Sequence, residues 1–333
     1  MKQDTLAVHD TAFGAARSAT PMRAWVLGGL GVALFAFSLP ATRMAVGTPA
    51  MPELAPMFVA MARAVVAGLL AAAWLFWRGA ALPSRRLWPA IAGVASGVVF
   101  GFPVLTSLAL RQVDAVHASL MLGLLPLTTA AIGALLARQR PSKAFWFWAT
   151  AGSVLVCAYA LRQAQVVQPG MHGLRLQPAD ILLIAAMLAG GWGYALGARL
   201  AGRLPAEQVI SWAVVCSLPL TLPATLWLWP QHAVAASAWG ALAYLGVISM
   251  WLGFFAWYRA LALGGTVRIS QIQLLQPFLS MLAAAALLGE HLDGATLLFA
   301  AAVMATVLAG RRARVHPAPT PTTPGSTPEE SPR

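Results

Sequence analysis

The sequence predicts an all-α polytopic membrane protein with ten transmembrane helices, arranged as two inverted repeats of five helices. Hydrophobic residues make up 59% of the 333 residues and charged residues only 10%, whereas about 25% of an average soluble domain is charged. About ten apolar runs of roughly 18–24 residues follow one another, and about 20 helical residues cross the hydrocarbon core of a bilayer. A water-soluble chain of this length has too little interior to hide so much apolar surface.

Short polar breaks delimit the predicted helices. In chain order, the helices are expected at 24–44, 56–77, 88–110, 114–137, 144–161, 180–201, 207–228, 238–258, 265–288 and 293–310. The corresponding organisation is a cytoplasmic tail at 1–22, a first five-helix repeat at 23–161, a connecting loop at 162–179, a second repeat at 180–310 and a cytoplasmic tail at 311–333. The last tail is rich in Pro, Thr and Ser, which predicts disorder.

The basic residues predict the orientation. With the N-terminus in the cytoplasm, 17 of the 22 Lys and Arg residues fall in cytoplasmic segments, and Arg63 lies inside a helix. The four on the opposite side are Arg43, Arg111, Arg162 and Arg175. Because Lys and Arg collect on the cytoplasmic side, both termini of this multi-pass inner-membrane protein are predicted to be cytoplasmic. The net charge of +12 therefore reflects orientation in the lipid bilayer, and no nucleic-acid partner is expected.

The two halves of the chain resemble each other. Aligning Arg43 with Arg199 places the first helix on the sixth, and aligning Pro126 with Pro277 places the fourth on the ninth. A unit of five helices is odd, so the second copy must enter the membrane from the opposite side. Inverted repeats are typical of secondary transporters, which place their site at the repeat interface. Chance similarity between Leu- and Ala-rich helices is the alternative.

The sequence shows no sign of a cofactor, a metal site or an active site of an enzyme. Cys157 and Cys216 both lie in apolar runs, where thiols act as packing residues. The chain has no Walker loop, no His-Glu-x-x-His helix and no Gly-x-Ser-x-Gly elbow. We expect no cofactor, no bound metal and no catalysis.

Several motifs resemble the drug/metabolite transporter superfamily, and specifically its EamA branch. The fourth helix contains the run from Ala118 to Pro126, and the ninth contains Gln271-Ile272-Gln273-Leu274-Leu275-Gln276-Pro277 followed by Leu288-Gly289-Glu290. The second helix contributes Ala62-Arg63, which is similar to the Ala-Arg of that family. The resemblance covers about residues 24–310 and implies a ten-helix carrier of small metabolites. One departure is that Arg138-Gln139 stands where the first copy should end in Gly-Glu.

Arg63 is the first candidate for substrate binding because a full helix surrounds it. A central Arg costs about 2.5–3.5 kcal/mol to insert, so such residues face a cavity or a partner. Its guanidinium can hold a carboxylate or a phosphate through two parallel hydrogen bonds. A structural Arg that snorkels outward or binds helix carbonyls is the alternative.

The ninth helix carries the densest polar stripe. Gln273 and Gln276 are predicted to line the cavity, although glutamines also lock helices together. Pro277 has no N–H, so the carbonyl of Gln273 is expected to lose its hydrogen-bond donor. Pro277 is therefore predicted as a hinge of the ninth helix. Pro126 is the matching hinge of the fourth helix.

Asp114 and His117 lie three residues apart and are candidates for a proton relay near the outer surface. A polar cluster at a loop end is the alternative. No acidic residue lies in the middle of a predicted helix, so the basic residue in the cavity favours an anionic or zwitterionic substrate.

Aromatic side chains in two helices are candidates for the wall of the cavity. They are Trp251 and Tyr258 in the eighth helix and Trp192 and Tyr194 in the sixth. Packing or lipid contact is the alternative for each. Gly93, Gly97 and Gly101 form a smooth stripe in the third helix that is expected to let another helix approach closely.

The predicted function is secondary transport of a small polar metabolite, such as an amino acid, by an exporter or exchanger that works by alternating access. A membrane protein with a lipid-handling or assembly role is the main alternative, and an intramembrane enzyme is a second one. The sequence predicts neither the substrate, the coupling ion nor the oligomeric state.

Overall fold

The computed structural model describes residues 21–113, 115, 118, 122–167, 178–288, 294–311 and 315–317. The helical segments in this part of the chain are α1 (Met22–Val46), α2 (Pro56–Trp77), α3 (Arg85–Gln112), α4 (Leu125–Leu136), α5 (Lys143–Val167), α6 (Pro178–Leu200), α7 (Ala206–Trp227), α8 (Ala236–Gly264), α9 (266–288) and α10 (Gly294–Arg311). Two short strands, β1 (Gln139–Pro141) and β2 (Val315–Pro317), pair antiparallel with Arg140 opposite His316.

Six of these helices, α1, α2, α3, α6, α7 and α8, are long and apolar enough to cross a membrane. Shorter apolar helical stretches lie at Leu125–Leu136, Lys143–Ala158 and Ala301–Gly310. The prediction of an α-helical multi-pass membrane protein is therefore confirmed. The fourth predicted helix differs in its bounds, because a turn at 123–124 precedes α4, which starts next to Pro126.

Four of the long helices are not regular along their length. α1 breaks at Phe37, and α9 contains a 3₁₀ stretch at Ser270–Leu275. α3 and α8 each contain a π-helical stretch, at Ala95–Gly101 and Leu245–Leu252. Stretches of π-helix insert extra residues into the helical turn and are frequent at functional sites. The irregular stretches of α1, α3 and α8 lie in the inner part of their helices, and that of α9 lies in its first half.

The helices pack in pairs that correspond between the two halves. α2 lies against α7, and α5 lies against α10. α1 packs along α8, while α6 packs along α3 and α4. The glycine stripe of α3 faces α6, since a Cβ built on Gly97 would lie 2.8 Å from the Cα of Gly193. This confirms the packing expected for the stripe and shows that the two helix backbones touch.

One end of the bundle, called the Glu53 end, is formed by the α1–α2 loop and the α7–α8 loop. The Glu53 carboxylate accepts a hydrogen bond from the N–H of Ala235 at 3.0 Å, just before the start of α8. His232 Nε2 lies 3.0 Å from the carbonyl oxygen of Glu53. Beneath these bonds, the rings of Phe58, Trp229 and Trp239 contact one another edge to face or tilted. Glu53 therefore links the first half of the chain to the second.

Two arginines at the same end cap helices reciprocally. Arg43, in the last turn of α1, donates to the carbonyl of Leu110 near the end of α3. Arg111, in the last turn of α3, donates to the carbonyl of Val46 at 3.0 Å. Cations are favourable at helix C-termini, where carbonyls lack intrahelical partners. This capping explains why Arg43 and Arg111 lie at the Glu53 end, whereas most of the other Lys and Arg residues fall in segments at the opposite end.

Replacing Glu53 with alanine is expected to lower the free energy of unfolding by about 1 kcal/mol, because the N–H of Ala235 loses its acceptor and a negative charge is removed from the N-terminus of α8. The measurement is the thermal unfolding midpoint of the purified protein in detergent micelles. Ala235→Pro is the matched control, since it removes only the donor and Ala235 already has a φ of −58°. The double variant should be as stable as the less stable of the two single variants, because both substitutions remove the same hydrogen bond. If the losses of stability in Glu53→Ala and Ala235→Pro instead add up in the double variant, the assigned bond does not contribute.

Candidate functional site

A small cavity lies in the middle of the bundle, where the irregular stretches of α1, α3, α8 and α9 meet α2 and α6. Its volume is about 20 Å³, which is room for about one water molecule. Its lining residues are Phe35, Ser38, Arg63, Val98, Phe102, Pro103, Tyr194, Ser249, Met250, Phe254 and Gln276. The two halves of the chain both contribute, and three of the predicted site residues are present: Arg63, Tyr194 and Gln276.

Arg63 is the charged group of this cavity. It lies in α2 and is only 4% exposed, so its guanidinium is almost fully removed from solvent. Its Nη2 donates to the hydroxyl of Ser249 at 2.8 Å, and its Nε has no hydrogen-bond partner within the described residues. Among the described residues, no carboxylate lines the cavity. A buried cation whose described partner is one neutral hydroxyl is poorly compensated, and a nearby negative charge would compensate it.

The partner of Arg63 is tied to the break in α1. Ser249 Oγ lies 2.7 Å from Ser38 Oγ, which sits directly after the break at Phe37. Pro40 follows two residues later and has no N–H to donate to the carbonyl of Ala36. The local sequence therefore interrupts the helix, and the interruption brings the Ser38 hydroxyl to the cavity.

The carbonyls freed by this break are satisfied by α9. Ser280 Oγ donates to the carbonyl of Ala36, and Gln276 Nε2 donates to the carbonyl of Phe35 at 3.4 Å. The Oε1 atom of Gln276 is buried and has no partner within the described residues. Gln276 thus holds two helices together and also presents an acceptor at the cavity. The helix-locking interpretation is therefore seen in the structure, and the role of Gln276 in substrate binding stays a prediction.

An aromatic wall faces the polar groups. The rings of Phe35 and Tyr194 are stacked, with centroids 6.3 Å apart. Phe254 contacts both, at 5.0 Å from Phe35 and 5.8 Å from Tyr194. The cavity therefore has one polar side, formed by the arginine, the two serines and the glutamine, and one apolar side.

The other aromatic candidates lie elsewhere. Trp251 donates its Nε1–H to Ser211 Oγ at 2.9 Å, which ties α8 to α7. Tyr258 donates to the carbonyl of Gly193 at 3.2 Å and packs its ring against Gly197. Trp192 is 40% exposed on the outside of α6. None of the three is among the lining residues of the cavity.

The proline-containing segments are arranged differently from the expectation. The carbonyl of Gln273, which Pro277 deprives of its α-helical partner, accepts from the N–H of Gln276. The 3₁₀ stretch makes this possible because its bonds span three residues instead of four. In front of Pro126, the carbonyl of Gly123 accepts from Ser153 Oγ at 2.8 Å. The Gln273 carbonyl, which was expected to be left without a partner, is therefore paired.

Gln273 itself is a buried polar residue outside the cavity lining. It is 1% exposed, and neither its Nε2 nor its Oε1 has a partner within the described residues. Asp114 and His117, the proposed relay, and Glu290 lie outside the described residues. No three His, Cys, Asp or Glu side chains come together as a metal site in the described ranges.

Sequence reasoning missed Ser38 and Ser249. Both are single hydroxyl residues in apolar runs, which usually satisfy themselves on their own helix. A signal was present for Ser38, because a proline two residues later interrupts the helix. No comparable signal marks Ser249, whose position depends on a π-helical stretch.

Comparison with known proteins agrees with these features. The model of the EamA-like transporter family matches the chain twice, at residues 23–160 and 177–309. The chain is 42% identical over 290 residues to the uncharacterized transporter YdeK of Bacillus subtilis (strain 168), covering 86% of this chain and 96% of that protein. It also resembles a solved structure described only as the crystal structure of a protein, with a TM-score of 0.65 and 21% identity over 87% of this chain and 98% of that one. The last likeness concerns the fold alone.

Proposed function

Since this chain belongs to the EamA-like transporter family and is a membrane transporter, we propose that it is a secondary carrier of a small polar metabolite bearing a carboxylate. An amino acid or a related solute fits this description. The observation that carries the proposal is Arg63, a buried guanidinium at a central cavity whose described protein partner is a neutral hydroxyl. A substrate carboxylate supplies the missing negative charge.

The two sides of the cavity restrict the substrate further. A carboxylate on Arg63 would leave the rest of the molecule against Phe35, Tyr194 and Phe254. The unpaired Oε1 of Gln276 is an acceptor suited to an ammonium or hydroxyl group. A purely cationic solute is disfavoured because Arg63 would repel it at low dielectric. The arrangement fits a zwitterion or a small monoanion.

The proposed mechanism is alternating access between two inverted five-helix repeats, at 23–161 and 180–310. It is supported by the two π-helical stretches, at Ala95–Gly101 and Leu245–Leu252, which lie about 150 residues apart. In two equivalent repeats, α1 corresponds to α6 and α3 corresponds to α8. The contact of α1 with α8 then has its counterpart in the contact of α6 with α3, as an inverted repeat predicts. The predicted connecting loop at 162–179 is shorter in the structure, because α5 continues to Val167 and α6 begins at Pro178. The segments before α1 and after α10 are proposed as the tails.

The proposed orientation puts both termini in the cytoplasm of a cell with this chain in its inner membrane. The Glu53 end then faces outward, and the opposite end carries most of the basic residues. A cavity of about 20 Å³ is far smaller than a ligand pocket of about 300 Å³. This small volume supports a closed arrangement, in which a solute would need the halves to separate at one end.

The test is transport by the purified protein in proteoliposomes. A defined mixture of amino acids and small carboxylates is supplied, and uptake and efflux are read by mass spectrometry with and without a pH gradient. We expect a carboxylate-bearing solute to move only when the protein is present. Movement of cationic amines alone would contradict the proposed class, and no movement of any solute in two broad mixtures would favour the lipid-handling or assembly role.

A further inference from the structure

Ser249 is the point at which α8 reaches the buried head group of Arg63. Its Oγ accepts from Arg63 Nη2 at 2.8 Å and lies 2.7 Å from Ser38 Oγ. A guanidinium only donates, so one lone pair of Ser249 is always used by Arg63. A second bond of Ser249 joins the hydroxyl of Ser38, in which either oxygen can be the donor, and hydrogen bonds in such a chain strengthen one another.

A second contact from the same helix fixes the backbone of Arg63. Gly246 precedes Ser249 by three residues, and a Cβ built on it would lie 2.7 Å from Val66 and 3.2 Å from the carbonyl oxygen of Arg63. The absence of a side chain at Gly246 therefore lets α8 approach α2 at Arg63. Both residues belong to the π-helical stretch Leu245–Leu252. This stretch contacts Arg63 at the main chain and at the head group.

The geometry leaves one edge of the guanidinium available. Nε and Nη2 form one side of the planar fork, and Nε has no partner within the described residues. Nη2 carries two hydrogens, of which the bond to Ser249 uses one. Side-on binding of a carboxylate uses Nε and the Nη2 hydrogen on the same edge, and it is compatible with the bond to Ser249 when that bond uses the other Nη2 hydrogen.

We propose that Ser249 is a positioning residue that holds the guanidinium of Arg63 with its Nε–Nη2 edge turned to the substrate. Ser249 itself does not need to touch the substrate. The proposal rests on the proposed function, because it assigns Arg63 as the carboxylate-binding group. Ser38 supports Ser249 from the break in α1, so the orientation of Arg63 depends on both halves of the chain.

The test measures how tightly Arg63 is held and needs no transported solute. The full-length protein in detergent micelles is treated with phenylglyoxal, which modifies arginine side chains, and modification of each arginine is quantified by mass spectrometry of chymotryptic peptides. In Ser249→Ala, we expect the modification rate at Arg63 to rise by about fivefold, the effect of losing one hydrogen bond. The rate at the exposed Arg78 should stay unchanged and serves as the internal reference.

Two variants separate positioning from a general loss of packing. Ser249→Thr keeps the hydroxyl and should restore the slow rate at Arg63. Ser217→Ala also removes a buried helix hydroxyl, which donates to the carbonyl of Ala213 at 2.7 Å, and should leave the rate at Arg63 unchanged. An unchanged Arg63 rate in Ser249→Ala, or an equal rise in Ser249→Thr or Ser217→Ala, would overturn the proposal.

The outcome is independent of the transport assay. A faster rate at Arg63 in Ser249→Ala, together with no carboxylate transport by the unmodified protein, would retain the positioning contact and reject the proposed function. Carboxylate transport that depends on Arg63, together with an unchanged modification rate in Ser249→Ala, would retain the function and reject the role of Ser249.

Discussion

Replacing Arg63 with glutamine is expected to lower carboxylate transport by about a hundredfold. A charge-assisted bond from a buried guanidinium is worth up to about 3 kcal/mol, and every 1.4 kcal/mol corresponds to about a factor of ten. Glutamine retains a polar tip but lacks the charge and the planar fork. The loss should therefore appear mainly in kcat/KM for solutes with a carboxylate.

The measurement is the initial rate of uptake into proteoliposomes that contain equal amounts of folded protein. Arg78→Gln is the matched control, because Arg78 caps the end of the same helix and lies over the Trp74 ring at 5.9 Å, away from the cavity. Arg63→Lys retains the charge without the bidentate geometry. Its initial rate of uptake should therefore lie between those of Arg63→Gln and Arg78→Gln. Unaltered uptake by Arg63→Gln would remove Arg63 from the binding site.

The largest expected effect on folding is that of Gly97→Val in α3. A Cβ at this position would lie 2.5 Å from the carbonyl oxygen of Ala189 and 2.8 Å from the backbone N of Gly193. Both obstacles are main-chain atoms of α6, which cannot move aside as a side chain does. We expect a loss of about 3 kcal/mol or more in the free energy of unfolding, because α3 and α6 must separate.

This loss is measured as the yield of monodisperse protein and the midpoint of thermal unfolding in micelles. Gly29→Val makes the same substitution inside α1, where a built Cβ meets nothing within 4 Å, and should leave both quantities nearly unchanged. Equal behaviour of the two variants would mean that close contact between α3 and α6 does not contribute to stability.

The sequence was sufficient for the parts of the site that depend on composition. Arg63 could be singled out because it is a charge inside a long apolar run, and a charge there requires a partner. The helix breaks at Pro40 and Pro277 follow from a missing N–H. How the carbonyls at the α1 break are satisfied could not be predicted, since the side chains of Ser280 and Gln276 reach them from α9. Such contacts depend on tertiary packing between distant segments.

The aromatic candidates show a second limit. Trp192 and Tyr194 are two residues apart, which is about 200° around a helix, so they cannot both face one cavity. The structure places Tyr194 in the cavity lining and leaves Trp192 on the outside. Helical periodicity alone therefore rules out that Trp192 and Tyr194 both line the cavity. It does not say which of the two does. Trp251 and Tyr258 were predicted to share one face toward the cavity, but their side chains instead bond to α7 and α6 outside the cavity lining.

The small volume of the central cavity also matters when no substrate is present. A file of water molecules across a bilayer core of about 30 Å would conduct protons along its hydrogen bonds. A mid-bundle space with room for about one water cannot contain such a file. Among the described residues, this mid-bundle space therefore offers no path for a water file, and we expect proteoliposomes that contain the protein but no solute to hold an imposed pH gradient.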